Sequence, residues 1–293
     1  MLEADVSGMF PERPPWARRI SVHAFGLLQP SHMEWTEDGR LLVSEFGRGN
    51  IFDITAGGDY RDAKPFASGL AHPAGILTNY EGSRIIVADT GRGEIVDITG
   101  GGHRLKENIV GSSIPGAYGL TLFRDKLFTA FSSETENGVA RVTGGSFTEG
   151  DIHFGGFPNG NRNHPAYLSF MGACPTNWST VAFNDRLLYV HSSLGAIYDV
   201  SEEAVFTADT PKFVEGLDEP LGMIYHEPTK LLYIADRGSG SVKPIPSGGE
   251  VNMRFVSPVA TGFRRPSCVR FHPARSVMYV CDMAECVVWT VEL

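Results

Sequence analysis

Short apolar runs rich in Val, Ile, Leu and Tyr follow one another along the chain, and Gly, Pro, Asn or Asp separates them. The runs Ile85–Asp89 and Leu232–Asp236 are examples, and both end in an acid. Several units contain a Gly pair such as Gly57-Gly58, which predicts a tight hairpin at positive φ. Helical periodicity of useful length is absent, so the pattern predicts an all-β protein built from short strands.

The strand pattern repeats as a unit that opens with a Pro. Six prolines open the units: Pro30, Pro73, Pro115, Pro175, Pro220 and Pro266. Their spacing is 42 to 46 residues, except that 60 residues separate Pro115 from Pro175. Each interval has the length of one four-stranded blade, and six such units predict a six-bladed β-propeller.

The two ends of the chain predict how the ring closes. The last unit ends at Leu293 after only three strands. Ile20–Leu27 has the residue pattern of a strand but precedes the first of the six units. We therefore expect the N-terminal strand to complete the C-terminal blade, which removes an exposed sheet edge. This interpretation makes residues 18–293 a single domain preceded by a tail over residues 1–17.

Two segments carry a family resemblance. Pro73–Ile76 followed by Ile86–Asp89 resembles the NHL repeat, and Pro220–Met223 followed by Tyr233–Asp236 repeats it. The texture is shared by SMP-30/gluconolactonase-like, strictosidine-synthase-like and streptogramin-lyase-like propellers. The resemblance covers the ring from about residue 18 onward and implies the six-bladed architecture, but a fold alone does not assign an activity.

Charge and composition exclude several classes of partner. The chain has 293 residues, 25 basic against 34 acidic side chains and a net charge of −9, with no Lys/Arg cluster. We expect no nucleic-acid partner, and no apolar run is long enough for a membrane span. The N-terminal residues lack an apolar signal segment, so we expect a cytoplasmic protein. Cys281 and Cys286 flank a predicted hairpin; reduced thiols are expected, with a disulfide between them as the alternative.

Two rings of residues are predicted to meet at one end of the central channel. The residues that end the second strands are Glu45, Asp89, Phe131, His191, Asp236 and Asp282. The residues that enter the inner strands are His32, Gly75, Gly119, Asn177, Gly222 and Cys268. Asp is the most frequent residue of the first ring. Because its carboxylate can accept backbone N–H groups in turns, the structural interpretation is that these aspartates stabilise the chain. Glu45 and His191 depart from that pattern.

These departures are the candidates for chemistry. We predict catalytic roles for His32, Glu45 and His191, since an imidazole and a carboxylate can move a proton near neutral pH. Together with Asp236 and Asp282 they could bind a divalent metal ion. Two imidazoles with carboxylates suit zinc, iron or manganese, and carboxylates with amide oxygens suit calcium or magnesium. The alternative for His32 is a buried imidazole bonded to a neighbouring carboxylate.

The long interval between Pro115 and Pro175 holds about 15 extra residues, which we place at Gly155–Ala173. This segment mixes aromatic, Asn, Arg and His residues, as expected of a lid over a small organic ligand; a surface loop is the alternative. The predicted substrate-binding residues are Tyr118, Arg162, Tyr167, Phe170, Asn177 and Trp178.

Three functions fit these candidates. The SMP-30-like resemblance implies a metal-dependent hydrolase of lactones or esters, and this is the preferred hypothesis. Streptogramin-lyase repeats pair a His shortly after the repeat Pro with a Glu at the end of the next strand. Pro30, His32 and Glu45 are similar to that pattern, which implies metal-assisted elimination. The third hypothesis is a non-catalytic propeller that binds a ligand or a protein. Under either enzyme hypothesis the partner is a small-molecule substrate.

Overall fold

The computed structural model describes residues 20–134, 137–158, 170–173, 186–245, 249 and 251–293. Within them, six antiparallel sheets are arranged as the blades of a ring. Neighbouring inner strands contact one another all the way round the centre. The prediction of an all-β six-bladed propeller is confirmed.

The first half of the chain forms the N-terminal strand and blades 1 to 3. In chain order the strands are β1 (Ile20–Phe25), β2 (Pro30–Trp35), β3 (Leu41–Glu45), β4 (Asn50–Asp53), β5 (Gly58–Asp59), β6 (Ala67–Ser68), β7 (Pro73–Tyr80), β8 (Arg84–Asp89), β9 (Glu94–Asp97), β10 (Gly102–His103), β11 (Ile109–Gly111), β12 (Leu120–Phe123), β13 (Lys126–Ser132), β14 (Asn137–Arg141) and β15 (Ile152–Phe157). From the inside outwards, blade 1 is β2-β3-β4-β6, blade 2 is β7-β8-β9-β11 and blade 3 is β12-β13-β14-β15.

The second half forms blades 4 to 6. Its strands are β16 (Phe170–Ala173), β17 (Leu187–His191), β18 (Ala196–Asp199), β19 (Ala204–Val205), β20 (Lys212–Glu215), β21 (Pro220–His226), β22 (Leu231–Asp236), β23 (Ser241–Ile245), β24 (Val251–Asn252), β25 (Ala260–Thr261), β26 (Pro266–Phe271), β27 (Val277–Asp282) and β28 (Val287–Glu292). Blade 4 is β16-β17-β18-β20, blade 5 is β21-β22-β23-β25 and blade 6 is β26-β27-β28-β1. Single 3-10 turns lie at Lys106–Asn108, Glu149–Asp151, Ser192–Leu194, Glu227–Thr229 and Met253–Phe255. Among the described residues no helix is long and apolar enough to cross a membrane.

The N-terminal strand closes the ring. β1 pairs antiparallel with β28, from Ile20 opposite Val291 to Phe25 opposite Val287. This pairing gives blade 6 its fourth strand and confirms the predicted closure. The edge of β28 is thereby covered by the other end of the chain.

The core lies between the blades, because alternate residues of each strand face the two neighbouring sheets. Between blades 1 and 2, for example, Leu42 and Ile51 pack with Ile76 and Val87, and all four side chains are buried. The two-residue strands β5, β10, β19 and β24 add a parallel contact to the outer strand of the preceding blade. Gly57 allows the first of these contacts, since it has φ of 69° and a Cβ there would lie 2.6 Å from the carbonyl oxygen of His23.

Blades 3 and 4 depart from the predicted repeat. The inner strand of blade 4 is Phe170–Ala173, so it precedes Pro175 instead of following it. The proposed insertion Gly155–Ala173 is therefore not all loop, because Gly155 belongs to β15 and its last four residues form β16. Only residues 159–169 of it lie outside the described residues. The thiols of Cys281 and Cys286 are free, and the disulfide alternative is not formed.

Candidate functional site

In the four blades whose second strand ends in an acid, that acid fixes the chain where it enters the inner strand of the same blade. In three blades its carboxylate accepts the backbone N–H of the residue two places before the repeat Pro. These bonds run from Ala71 to Asp89 (2.6 Å), from Asp218 to Asp236 (2.6 Å) and from Arg264 to Asp282 (2.7 Å). Asp282 also accepts the backbone N–H groups of Ala284 and Glu285 in the following turn. These contacts agree with the structural interpretation of the three aspartates.

Glu45 has the same position and the same contacts in blade 1. The backbone N–H of Leu28 donates to its Oε1 over 2.7 Å, Arg48 pairs with it at 3.1 Å and the Asn50 amide donates to Oε2 over 3.0 Å. The carboxylate is fully buried. Glu45 departs from the repeat in residue type, but its bonds hold the incoming chain. Its carboxylate is not exposed to a substrate, so these contacts do not support the predicted catalytic role.

His191 lies in the corresponding place of blade 4. Its Nδ1 accepts the backbone N–H of Leu194 over 3.3 Å, and its Nε2 lies 3.2 Å from the carbonyl oxygen of Pro158. Burial lowers the pKa of His191 to about 4. The imidazole is therefore neutral at pH 7, with Nε2 donating to Pro158, and it caps the turn Ser192–Leu194.

His32 lies in the buried core of the inner strands. The backbone N–H of Ile76 donates to its Nδ1 over 3.1 Å, and its Nε2 lies 2.7 Å from Nη2 of Arg270. Arg270 in turn pairs with Glu34 at 2.9 Å. Burial and the charge of Arg270 hold the pKa of His32 well below its usual range. His32 is therefore a buried imidazole, as in the alternative interpretation, but its bonded neighbour is an arginine and not the expected carboxylate.

The five predicted metal ligands are not brought together. Each of these side chains bonds to residues outside the set; they are His32, Glu45, His191, Asp236 and Asp282. Among the residues that the structure describes, no group of three or more His, Cys, Asp or Glu side chains is placed to hold a metal ion. The divalent ion stays a prediction.

The predicted substrate-binding residues fall into two groups. Arg162, Tyr167, Asn177 and Trp178 lie outside the described residues, and Phe170 lies on the inner strand β16, opposite Val190. Their roles, and the lid, stay predictions. Tyr118 is the one whose side chain is placed.

Tyr118 lies at the centre of the ring, where its hydroxyl is 2.7 Å from Oγ of Ser31, so blades 3 and 1 meet there. Ser267 of blade 6 donates its hydroxyl to the carbonyl oxygen of Pro30 over 3.0 Å. Burial raises the pKa of Tyr118 to about 12, so the phenol is protonated. We call the end of the ring at which the inner strands begin and the second strands end the channel mouth.

Two further sets of residues surround the channel mouth. The residues that directly follow the strand-ending acid, or its counterpart, are Phe46, Thr90, Ser132, Ser192, Arg237 and Met283. The residues that directly precede the repeat Pro include Gln29, His72, Glu219 and Arg265. Phe46 and Met283 pack against the cluster that contains Tyr118 and Leu221. His72 stacks on Phe46 with ring centroids 4.8 Å apart.

Arg237 is the charged residue in the first set. Its side chain is 1% exposed, and Nη2 donates to Oε2 of Glu219 over 3.1 Å. Arg265 of the next blade donates to the same oxygen over 2.9 Å. The Nε of Arg237 has no hydrogen-bond partner within the part of the chain that the structure describes. Burial and the charge of Arg265 lower the pKa of Arg237, and Glu219 opposes them.

Sequence reasoning missed Arg237 because it looked for chemistry in the acid itself. The available signal was one residue further on. In that position the other five units have Phe, Thr, Ser, Ser and Met, so a positive charge stands out.

No protein-family model and no curated protein matches this sequence. Solved structures do resemble it. A gluconolactonase from Xanthomonas campestris is similar with a TM-score of 0.63 and 14% identity over 97% of this chain and 94% of that one. Virginiamycin B lyase from Staphylococcus aureus gives 0.52 and 11% over 94% and 99%. An auxiliary nutrient binding protein from Bacteroides ovatus gives 0.60 and 13% over 96% and 75%. The likeness is one of fold.

Proposed function

We propose that this propeller binds a small organic molecule at the channel mouth. The observation that carries the proposal is the convergence of side chains from four blades near the centre of the ring. Tyr118 and Ser31 meet there, Phe46 and Met283 add apolar surface, and Arg237 adds a charge. Apolar walls with a few convergent polar groups are typical of small-molecule sites.

The similar structures support a site for small molecules, but they do not favour one reaction over another or over binding alone. They comprise an enzyme named as a gluconolactonase, a lyase and a nutrient-binding protein. Hydrolysis of a lactone or ester, and elimination, stay predictions for this chain. Binding is the better supported function, because the predicted catalytic side chains are buried and bonded to their neighbours; they are His32, Glu45 and His191.

A matched pair of substitutions tests the location. Phe46 and Phe271 are both partly buried and both stack on a histidine, with centroids 4.8 Å and 3.9 Å apart, but Phe271 ends an inner strand at the far side of the ring. The probes are sugar lactones, aldonic acids and aromatic acids and amides, screened by ligand-observed NMR. We expect Phe46→Ala to weaken binding about tenfold or more and Phe271→Ala to leave it unchanged.

The same probes separate binding from catalysis. Each compound that binds is incubated with the protein, and products are sought by mass spectrometry. Binding without product supports the proposal as stated. Product that disappears in Phe46→Ala but not in Phe271→Ala would make the channel mouth an active site. Equal loss of binding in both variants, or no binding by the wild type, would overturn the proposal.

A further inference from the structure

The charges of Arg237, Arg265 and Glu219 are unbalanced within this group of three. Arg237 and Arg265 come from neighbouring blades, and among the described residues their ion pairs both go to the carboxylate of Glu219. Two guanidinium groups and one carboxylate leave one positive charge in excess in the group. The Arg237 side chain is 1% exposed, so water compensates little of its charge, whereas Arg265 is 37% exposed.

The hydrogen bonds of Arg237 are also incomplete. A buried polar group without a partner costs free energy, and arginine presents five N–H donors in a planar fork. Nη2 is engaged by Glu219, whereas the Nε–H is buried and without a partner among the described residues. A carboxylate can contact the edge formed by Nε and Nη2 with both oxygens, and Glu219 occupies one N–H of Nη2.

We propose that the channel mouth binds the carboxylate of a small organic monoanion through Arg237 and Arg265. This inference rests on the proposed function and names its ligand class. A single negative charge neutralises the excess. A phosphate dianion would overcompensate it and face the charge of Glu219, so the arrangement favours a carboxylate. The partly buried side chains of Phe46 and Met283 offer apolar surface to the rest of the ligand.

Three pairs of probes test the charge requirement. Each pair is a carboxylate and its neutral amide: benzoate and benzamide, phenylacetate and phenylacetamide, gluconate and gluconamide. Affinity is measured by ligand-observed NMR at constant ionic strength. We expect at least one acid to bind about tenfold or more tightly than its amide, since charge-assisted bonds are roughly twice as strong as neutral ones.

Arg265→Gln tests the residue assignment, and Arg264→Gln is its control. The neighbouring side chains are 37% and 70% exposed, so both variants should fold. We expect Arg265→Gln to weaken binding of the acid about tenfold while the amide is unaffected, and Arg264→Gln to change neither. Arg237→Met should abolish the preference for the acid altogether.

The outcomes separate the two proposals. If an amide binds as well as its acid, the charge requirement is wrong while the ligand site stands. If Arg265→Gln and Arg237→Met both keep the preference for the acid, the assignment to these arginines is wrong. If none of the three acids binds the folded wild type while a sugar lactone or an amide does, this inference fails and the proposed function stands. If no compound of either probe set binds, both fail.

Discussion

Blades 1 and 5 use the same scaffold and present different side chains to the channel mouth. In blade 1 the carboxylate of Glu45 accepts the backbone N–H of Leu28, and in blade 5 that of Asp236 accepts the N–H of Asp218. The next residue differs completely: Phe46 in one blade and Arg237 in the other. The comparison teaches that the acid belongs to the scaffold, whereas the residue after it is free of that task and belongs to the site that we propose.

The division follows from the geometry of a strand end. Successive residues of a strand point to opposite sides, so an acid that bonds the incoming chain leaves its successor facing elsewhere. A buried carboxylate that accepts backbone donors is hard to replace, whereas a residue at the channel mouth can vary with the ligand.

The largest expected effect tests the scaffold half of the comparison. Glu45→Ala and Asp236→Ala should each lower the free energy of unfolding by about 3–5 kcal/mol, because each removes two or more hydrogen bonds to a buried charge. Urea denaturation measures the loss, with the exposed Glu37→Ala as the control that should change little. If Glu45→Ala stays as stable as the wild type but loses its function, Glu45 is a site residue after all.

A second prediction contrasts two histidines of the same end of the ring. His32→Ala should cost about 2–4 kcal/mol of stability, because it leaves a cavity and an unpaired N–H on Ile76, and it should leave ligand affinity unchanged. His72→Ala should do the reverse, since His72 is exposed and stacks on Phe46. Urea denaturation and NMR titration of the two variants decide. Loss of affinity in a stable His32→Ala protein would instead support His32 as a residue of the site.

Blade 4 provides a third prediction, because it has an imidazole where blades 1 and 5 have carboxylates. The pKa of His191 is about 4 in the folded protein and near 6.5 when unfolded. The unfolded chain therefore binds the proton first, so stability is fully present above pH 6.5 and falls as the pH drops towards 4. The loss from this group is on the order of 3 kcal/mol.

Denaturation in urea at pH 7, 5.5 and 4.5 measures this dependence. His191→Asn keeps an acceptor for the N–H of Leu194 and removes the titration, so its stability should fall less steeply with acid. Parallel curves for the two proteins would show that His191 is not the group responsible.

The smallest effect on stability is expected at the residue that we place in the site. Arg237→Met should change the free energy of unfolding by less than about 1 kcal/mol in the absence of ligand. Removing a desolvated charge offsets the lost ion pair, and Glu219 keeps Arg265 as its partner. A loss of about 3 kcal/mol or more in thermal or urea unfolding would instead make Arg237 part of the scaffold and end the contrast with Glu45.

Most of the architecture could be predicted because the repeat carries it. The repeat prolines begin the inner strands at Pro30, Pro73, Pro220 and Pro266. Only the last unit lacked a fourth strand, so the N-terminal strand could be assigned to blade 6. Blades 3 and 4 could not be placed in the same way. β12 begins at Leu120, five residues after its Pro, and this longer approach brings Tyr118 to the centre of the ring.

The site was harder to predict for a physical reason. A shift of one residue at a strand end changes the side on which a side chain lies, and a single sequence cannot show which of two consecutive residues is used by the backbone. Asp236 and Arg237 are such a pair. The bonds from Asp218 and Ser239 to Asp236 show that the acid is already engaged.

The pairing of β1 with β28 has a consequence for synthesis. Phe25 lies opposite Val287, so more than 260 residues must be made after β1 before its main partner exists. At about 5–20 residues per second, this strand waits on the order of 15–50 s beside the ribosome. Its earlier partner is the two-residue strand β5, which pairs with Ala24 and Phe25 and emerges within a few seconds. The pairing with β5, together with the bonds from His23 to Ile54 and from Tyr60 to Phe25, is therefore available to the first strand long before residues 287–292 arrive to close the ring.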